Sequence, residues 1–507
     1  MDFITERKNQ EIERVTILKN IRELGWEERD GYLEAGIARE VQSHARRVGI
    51  VFSGGPAPGG HNVVWGVFEG LLELNLESKL FGFLGGCQGL LDGNYKEVDK
   101  RLIGNFKNIG GFNMLGSGRK KIESEEDFRA VTKVVQENRL DGIVFVGGDD
   151  TNTNAAHLAT YFKKNDINCC VVGVPKTIDG DLKTDLIEAS FGFDTACKVY
   201  GEMIGNICFD AISSLKYFHF IKLMGRKASH VTLECALLAR PNIAFIGEEV
   251  EAKKQSLHEI VEHVADVVEK RAEKGKHYGV CLVPEGLIEF VPEFKTLIKE
   301  LNRVVAKGKD AEALPEQQKK LFKTLPEDIQ EQLMQDRDSH GNVQVSKIET
   351  EKLIFRMVDK RLKERGFRGS FNPQAHFFGY EGRCSYPSTF DATYCFNLGL
   401  VAAALAVHRK SGYMACLSGL HRNVREWQPK GASIVAMMVE EERHGEMKRV
   451  IEKAVVDLKG NPFREFSKNR DEWAVGDYYI NPGPIQYHGN SKDTPTKTLM
   501  LEAKTKV

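Results

Sequence analysis

The sequence predicts an α/β protein built on parallel sheets, and three observations carry that expectation. Short apolar runs of strand length alternate with segments of helical periodicity along most of the 507 residues. Several of these runs end in glycine-rich loops that carry charge, the place where ligands bind in an open α/β sheet. A glycine-poor stretch rich in Lys, Glu, Gln and Leu, from about Pro292 to Gly366, interrupts the alternation and reads as a helical insertion.

Taken in order, residues up to about Glu40 read as a polar, helical N-terminal extension. Val48–Phe52 reads as the first strand, Val63–Leu74 as a helix with apolar residues at helical spacing, and Lys79–Leu84 as a short strand. Ser124–Glu137 reads as an amphipathic helix, followed by a strand over Gly142–Val146, a helix over Asn154–Phe162 and a strand over Cys169–Val174. A helix over Phe193–Ile207 and a strand over Tyr217–Leu223 continue the series, which implies right-handed βαβ units. A second set spans Val231–Val283, with strands at Ile243–Ile246 and Tyr278–Val283, and the pattern resumes near Ala375. The expected division is an extension over 1–40, a first α/β domain over 41–215, and a second over 216–291 and 367–480. Residues 292–366 form the insertion and 481–507 a C-terminal tail.

Composition narrows the function classes. With 71 basic and 72 acidic residues the formal charge is −1, which gives no electrostatic case for nucleic acid or an anionic membrane. No uninterrupted apolar run approaches the roughly 18 residues of a membrane span. Met1–Arg14 is charged and lacks an apolar signal core. The 10 cysteines are scattered, without a CxxC pair, so neither a zinc site nor a disulfide framework is expected and a reducing cytoplasm is the simplest setting.

Four motifs carry chemistry. Ser53-Gly54-Gly55-Pro56-Ala57-Pro58-Gly59-Gly60-His61-Asn62 joins a strand to a helix, where glycines admit a close ligand and the helix terminus favours an anion. It is neither a Walker A loop nor GxGxxG, and a tight turn without a ligand has the same look. Gly147-Gly148-Asp149-Asp150-Thr151 follows a buried strand; helix capping needs one such polar residue, not two carboxylates behind two glycines, which favours a metal–phosphate role. Pro175-Lys176-Thr177-Ile178-Asp179-Gly180-Asp181 places two carboxylates beside a cation, which suits a general base near a phosphate, although an Asx turn has similar residues. Basic residues lie in or near glycine-rich loops or on the strand before one (Arg119, Lys216, Lys222, Arg226 and Arg383); arginines in such loops fork onto phosphate oxygens, while most lone arginines are merely solvated. Glu285, after a strand, is placed to accept from a sugar hydroxyl or simply to turn the chain.

The segments GGPAPGGHN, GGDDTNTNAA, PKTIDGDL, KYFHFIKLMGRKASHVTLEC, GEEV, VPEGLIE and HFFGYEGRCSYPSTFDATY resemble the phosphofructokinase family, in its long pyrophosphate-dependent form. They spread from about Val48 to Phe396, with a weaker likeness reaching GPIQYHG near Pro484. The resemblance implies two Rossmann-like parallel-sheet domains and reversible Mg2+-dependent phosphoryl transfer from pyrophosphate to the 1-hydroxyl of fructose 6-phosphate. It implies that Asp179 is the general base, that Asp149 holds the metal, and that Gly54, Gly55, Arg119 and Thr151 lie by the donor. Thr177 and Ile178 would flank the sugar, and Met224, Gly225, Arg226, Glu285, Tyr380, Glu381, Gly382 and Arg383 would complete its pocket. Lys216 and Tyr217 would reach a neighbouring subunit's site, so at least a homodimer is implied. Asp150 and Lys176 stand where ATP-using relatives usually carry glycine. An aspartate adds bulk and charge where the α-phosphate of ATP would lie, and an ammonium can neutralise pyrophosphate in the transition state. Pro56, in place of an aspartate frequent in ATP-users, agrees with this.

Three other readings compete. An ATP-dependent phosphofructokinase is separated by comparing the two donors. An NAD or lipid kinase shares a GGD-type strand end but not the PKTIDGD and MGR segments. A non-catalytic regulatory subunit would have lost Asp179 and Asp181, which are both present.

Overall fold

The structure is a computed structural model that describes residues 3–38, 44–335, 343–443, 446–485 and 495–504. Its strands are β1 (Leu24–Arg29), β2 (Tyr32–Ile37), β3 (Arg47–Phe52), β4 (Lys79–Phe83), β5 (Tyr95–Val98), β6 (Gly142–Gly147), β7 (Cys170–Thr177) and β8 (Phe191–Gly192). They continue with β9 (Phe218–Leu223), β10 (Ile243–Ala244), β11 (Gly279–Pro284), β12 (Pro373–Phe378), β13 (Tyr413–Ser418), β14 (Gln428–Ser433), β15 (Met438–Arg443) and β16 (Glu446–Ile451). Two compact units divide them: Met1–Ala196, Tyr380–Ala454 and Ile485–Met500 make the first, and Cys197–Gly379, Val455–Pro484 and Leu501–Val507 the second.

The first unit holds a ten-stranded sheet in the order β1-β2-β14-β13-β7-β6-β3-β4-β5, with β8 beside β7. Its centre, β4-β3-β6-β7-β13, is parallel. Gly142-Ile143-Val144-Phe145-Val146 of β6 is buried along its length, as a strand covered on both faces must be. The helices Gly60–Leu74 and Thr389–Val407 cross closely: a Cβ on Gly66 would lie 2.0 Å from the Phe396 carbonyl oxygen, and one on Gly399 2.3 Å from that of Val63. Thr389–Val407 is long and apolar enough to cross a membrane, but it is wholly buried within this unit.

The second unit holds the parallel sheet β10-β11-β9-β12. The insertion is helical, with Pro292–Val305, Glu316–Thr324, Glu327–Gln335 and Thr350–Glu364, and its Phe294, Leu297, Leu301, Ile329, Leu333, Leu353 and Val358 join this unit's core.

The structure corrects several expectations. The N-terminal extension is not helical throughout, because Leu24–Arg29 and Tyr32–Ile37 form an antiparallel hairpin whose second strand pairs with β14. Residues 380–454 belong to the first unit, not the second, since β13 hydrogen-bonds to β7 in the first sheet, and residues 197–215 belong to the second unit, not the first. The tail contains a helix, Lys497–Ala503, with Thr498 and Leu499 buried. Strand β10 is two residues long rather than four. The end of the GPIQYHG segment, residues 486–489, lies outside the described residues, as do 39 and 40 of the extension.

Candidate active site

Three strand ends in the first unit lie side by side. Phe52 of β3 pairs in register with Val146 of β6, and Val146 with Val174 of β7. The loops that begin at Ser53, Gly148 and Ile178 therefore leave one edge of the sheet, at the carboxyl ends of its parallel strands.

Gly54 opens the first loop with φ +81°, a left-handed conformation that glycine adopts without cost. Its N–H donates to the Gly118 carbonyl at 2.9 Å and its own carbonyl accepts from Ser117 Oγ at 2.6 Å. These bonds stitch the glycine-flanked Gly116–Arg119 loop to the first loop and leave Arg119 exposed next to it. Lys176 Nζ donates to the Gly55 carbonyl at 2.8 Å. A Cβ on Gly54 would lie 3.3 Å from that ammonium, and one on Gly55 3.5 Å from the Arg383 guanidinium carbon. Glycine thus keeps two cations close to the loop backbone.

The helix after β6 begins at Asp149, not at Asn154 as expected. Gly148 is its N-cap and no side chain caps it, so both aspartates lie in the first turn, where the helix dipole favours negative charge. They differ in surroundings. The Asp149 side chain is 18% exposed and faces Lys453, while that of Asp150 is 49% exposed with Lys121 Nζ at 3.5 Å. Burial pushes the Asp149 carboxyl up, Lys453 opposes this, and the nearby Asp150 and Asp181 add to the rise. Thr151 is buried, with its side chain packed against Gly147.

Strand β7 runs to Thr177, three residues beyond the expected end, so Lys176 and Thr177 are its last two residues. Lys176 pairs in register with Phe191 of β8, which extends the strand past Pro175. The Thr177 hydroxyl donates to Asp181 Oδ1 at 3.1 Å and accepts from the Asp179 N–H at 3.0 Å, which fixes the loop around both carboxylates. Burial, reinforced by Asp181, pushes the Asp179 carboxyl up to about 6 against the pull of Lys453, Lys176 and Arg383. Burial lowers the Lys176 ammonium to about 8, with Asp179 opposing and Arg383 assisting.

Lys453 is the residue that sequence reading missed. Its ammonium lies 2.8 Å from Asp181 Oδ2 and 3.4 Å from Asp149 Oδ2. It stands just after the β15–β16 hairpin, in Glu452-Lys453-Ala454, a context with no glycine, turn or motif signal. No local pattern marks such a lysine; only the fold brings it there.

Arg383 also belongs to the first unit, with its guanidinium 4.8 Å from the Tyr380 ring centre; Tyr380 and Glu381 are exposed and Gly382 is buried. In the second unit, Met224-Gly225-Arg226 leaves β9 and Glu285 leaves the adjacent β11, with Leu223 and Pro284 in register. A Cβ on Gly286 would lie 1.7 Å from the Arg226 carbonyl oxygen, so these two loops touch. Gly225 has φ +117°, and Arg226 Nη2 lies 3.2 Å from Glu289 Oε1. Lys216 is exposed, its ammonium 4.8 Å from the Tyr217 ring centre. Met224, Gly225, Arg226, Glu285, Lys216 and Tyr217 thus lie in the second unit and the other expected site residues in the first.

Fold and site together define an α/β protein with carboxylates and cations gathered at a parallel sheet edge. Comparison with known proteins narrows this further. A profile of the phosphofructokinase family matches residues 47–406. The pyrophosphate–fructose 6-phosphate 1-phosphotransferase of Treponema pallidum is 51% identical over 477 residues, covering 90% of this chain and 83% of that protein. The subunit beta 2 of the Arabidopsis thaliana enzyme of that name is 49% identical over 476 residues, covering 92% and 84%. Among solved structures, a pyrophosphate-dependent phosphofructokinase from Nitrosospira multiformis aligns with a TM-score of 0.57 at 14% identity, over 88% of this chain and 97% of that one, a likeness of fold. The chain belongs to the phosphofructokinase family.

Proposed function

We propose that this chain catalyses the reversible, Mg2+-dependent transfer of a phosphoryl group from pyrophosphate to the 1-hydroxyl of fructose 6-phosphate, giving fructose 1,6-bisphosphate and phosphate, a step shared by glycolysis and gluconeogenesis. Relatives about half identical over nine-tenths of the chain carry that activity in their names. The observation that carries the reading is Asp179, a carboxyl raised to about 6, on the same loop edge as Lys176, an ammonium held on the Gly54–Gly55 loop.

Asp179 takes the proton of the 1-hydroxyl as that oxygen bonds to phosphorus. The bridging P–O bond of pyrophosphate breaks and its electron pair leaves with phosphate. Little covalent work falls to the protein; it positions the reactants and balances their charge. Gly54 and Gly55 let the backbone approach the donor, with Arg119 beside them and Thr151 behind. Lys176 neutralises charge on pyrophosphate, and Asp150 blocks the α-phosphate of ATP. Thr177 and Ile178 flank the sugar. Met224, Gly225, Arg226, Glu285, Tyr380, Glu381, Gly382 and Arg383 hold its phosphate and hydroxyls, and Lys216 and Tyr217 serve the neighbouring site of a homodimer.

The family's chemistry uses a divalent metal, and Mg2+ is our assignment. The residues fit such an ion. Asp149 already faces a cation, the Lys453 ammonium. Among the described residues no group of three or more His, Cys, Asp or Glu is placed to hold a metal alone. Asp149 would hold the ion together with phosphate oxygens of the donor, an arrangement that suits Mg2+. When bound, Mg2+ supplies charge neutralisation on those oxygens. A reducing cytoplasm fits the ten free cysteines.

The test follows the reverse reaction by phosphorus NMR. With fructose 1,6-bisphosphate, phosphate and Mg2+, a pyrophosphate resonance is expected to grow to an equilibrium level. Its absence, under conditions where the protein is folded, contradicts the proposal.

A further inference from the structure

Lys453 is tied to two catalytic loops by main chain as well as side chain. The Ile451 N–H, two residues before it, donates to Thr153 Oγ1 at 3.1 Å, on the helix that begins at Asp149. The Ala454 N–H, one residue after it, donates to the Asp181 carbonyl at 2.8 Å. The ammonium between them reaches Asp181 at 2.8 Å and Asp149 at 3.4 Å. All of these atoms belong to the first unit. Side chain and backbone thus join the same two loops, the one that starts the GGDD helix and the one that carries Asp179.

The charges explain why a cation belongs there. Asp149 and Asp181 are both largely buried, and like charges in such surroundings repel strongly unless a counter-charge lies between them. Lys176 also feels both carboxylates, but its ammonium donates to the Gly55 carbonyl. A divalent ion approaching Asp149 meets the Lys453 ammonium at the same carboxylate.

We propose that Lys453 is a positioning residue of the active site: its ammonium bridges Asp149 and Asp181, sets the spacing of the donor and base loops, and competes with the divalent metal for Asp149. This rests on the assignment of Asp149 to the metal. Loss of the ammonium then acts on binding and turnover in opposite directions. The metal binds more tightly, because its competitor is gone, while turnover falls, because the loops lose their spacing. A merely structural lysine weakens both together.

The experiment measures free Mn2+ by electron paramagnetic resonance in the presence of methylenediphosphonate, a pyrophosphate analogue that is not cleaved, alongside steady-state kinetics. For Lys453→Met, the Mn2+ dissociation constant is expected to fall about threefold or more as a nearby positive charge is lost. Turnover is expected to fall at least about tenfold, the scale of a small misplacement in a pre-organised site, with KM for fructose 6-phosphate nearly unchanged. Lys453→Arg, which keeps the charge, is expected to recover much of the turnover and the weaker Mn2+ binding. If the Met variant melts well below the parent, Lys453→Gln replaces it with the same readouts. Turnover within about twofold of the parent, or Mn2+ binding that is unchanged or weaker, overturns the proposal. Asp149→Asn is measured in parallel: Mn2+ binding that survives there overturns the metal assignment itself, and the Lys453 proposal with it, so the two failures are told apart.

Discussion

Asp149 and Asp150 are neighbours in one helical turn, yet their surroundings differ in a way that fits the different work proposed for them. Asp149 is buried against Lys453, whereas Asp150 is half exposed near Lys121. Two unit charges about 4 Å apart repel by roughly 4 kcal/mol at an effective dielectric of about 20, which is a ceiling for the exclusion of ATP by Asp150. Solvent and Lys121 lower that figure, since exposed pairs are worth about 1 kcal/mol or less. Asp150→Gly is therefore expected to raise kcat/KM with ATP by about fivefold, the equivalent of about 1 kcal/mol, in a steady-state assay with Mg-ATP. An unchanged value removes Asp150 from donor selection. Asp179 and Lys176 set the pH dependence. The base works ionised, so kcat/KM is expected to fall as pH drops through about 6; Lys176 works as a cation, so it falls again as pH rises through about 8. Lys176→Met is expected to flatten the alkaline limb of that profile and to move the acid limb to higher pH, because the Lys176 charge helps hold the Asp179 carboxyl down. The motif residues were legible because glycines and paired carboxylates after apolar strands are rare as mere turns. Lys453 was not, because its role comes from contacts 272 residues away.

At the scale of elements, the strand–loop–helix units were legible from alternation and glycine, and their ends were not. Strand β7 was expected to stop before Pro175, because proline and glycine usually punctuate strands; pairing with β8 carries it to Thr177. The β1–β2 hairpin lies in a Glu- and Arg-rich stretch with a helical look, yet Asp30-Gly31 between Arg29 and Tyr32 is a two-residue hairpin signal that the helical expectation passes over. The close crossing of Gly60–Leu74 and Thr389–Val407 supports the helix that leaves the first loop. Gly399→Ala puts a methyl group 2.3 Å from the Val63 carbonyl oxygen. It is expected to destabilise the protein by about 1–3 kcal/mol, measured by urea unfolding, because backbone on both sides must move apart. A variant as stable as the parent contradicts this packing.

For the whole molecule, two α/β sheets and a helical insertion were legible, but membership was not. Periodicity identifies β13 as a strand without saying which sheet it joins, and its partner β7 lies more than 200 residues earlier. For that reason residues 380–454 were expected in the wrong half. The proposed sharing of sites between subunits has its own test. Asp179→Asn and Lys216→Ala chains, each nearly inactive, are expected to regain part of the parent turnover when unfolded together and refolded as hybrids; no recovery contradicts shared sites. The central claim is the donor. Purified chain with fructose 6-phosphate and Mg2+ is to be given pyrophosphate or ATP in separate assays of fructose 1,6-bisphosphate formation. Turnover with pyrophosphate and little or none with ATP is expected. Turnover with ATP and none with pyrophosphate contradicts it.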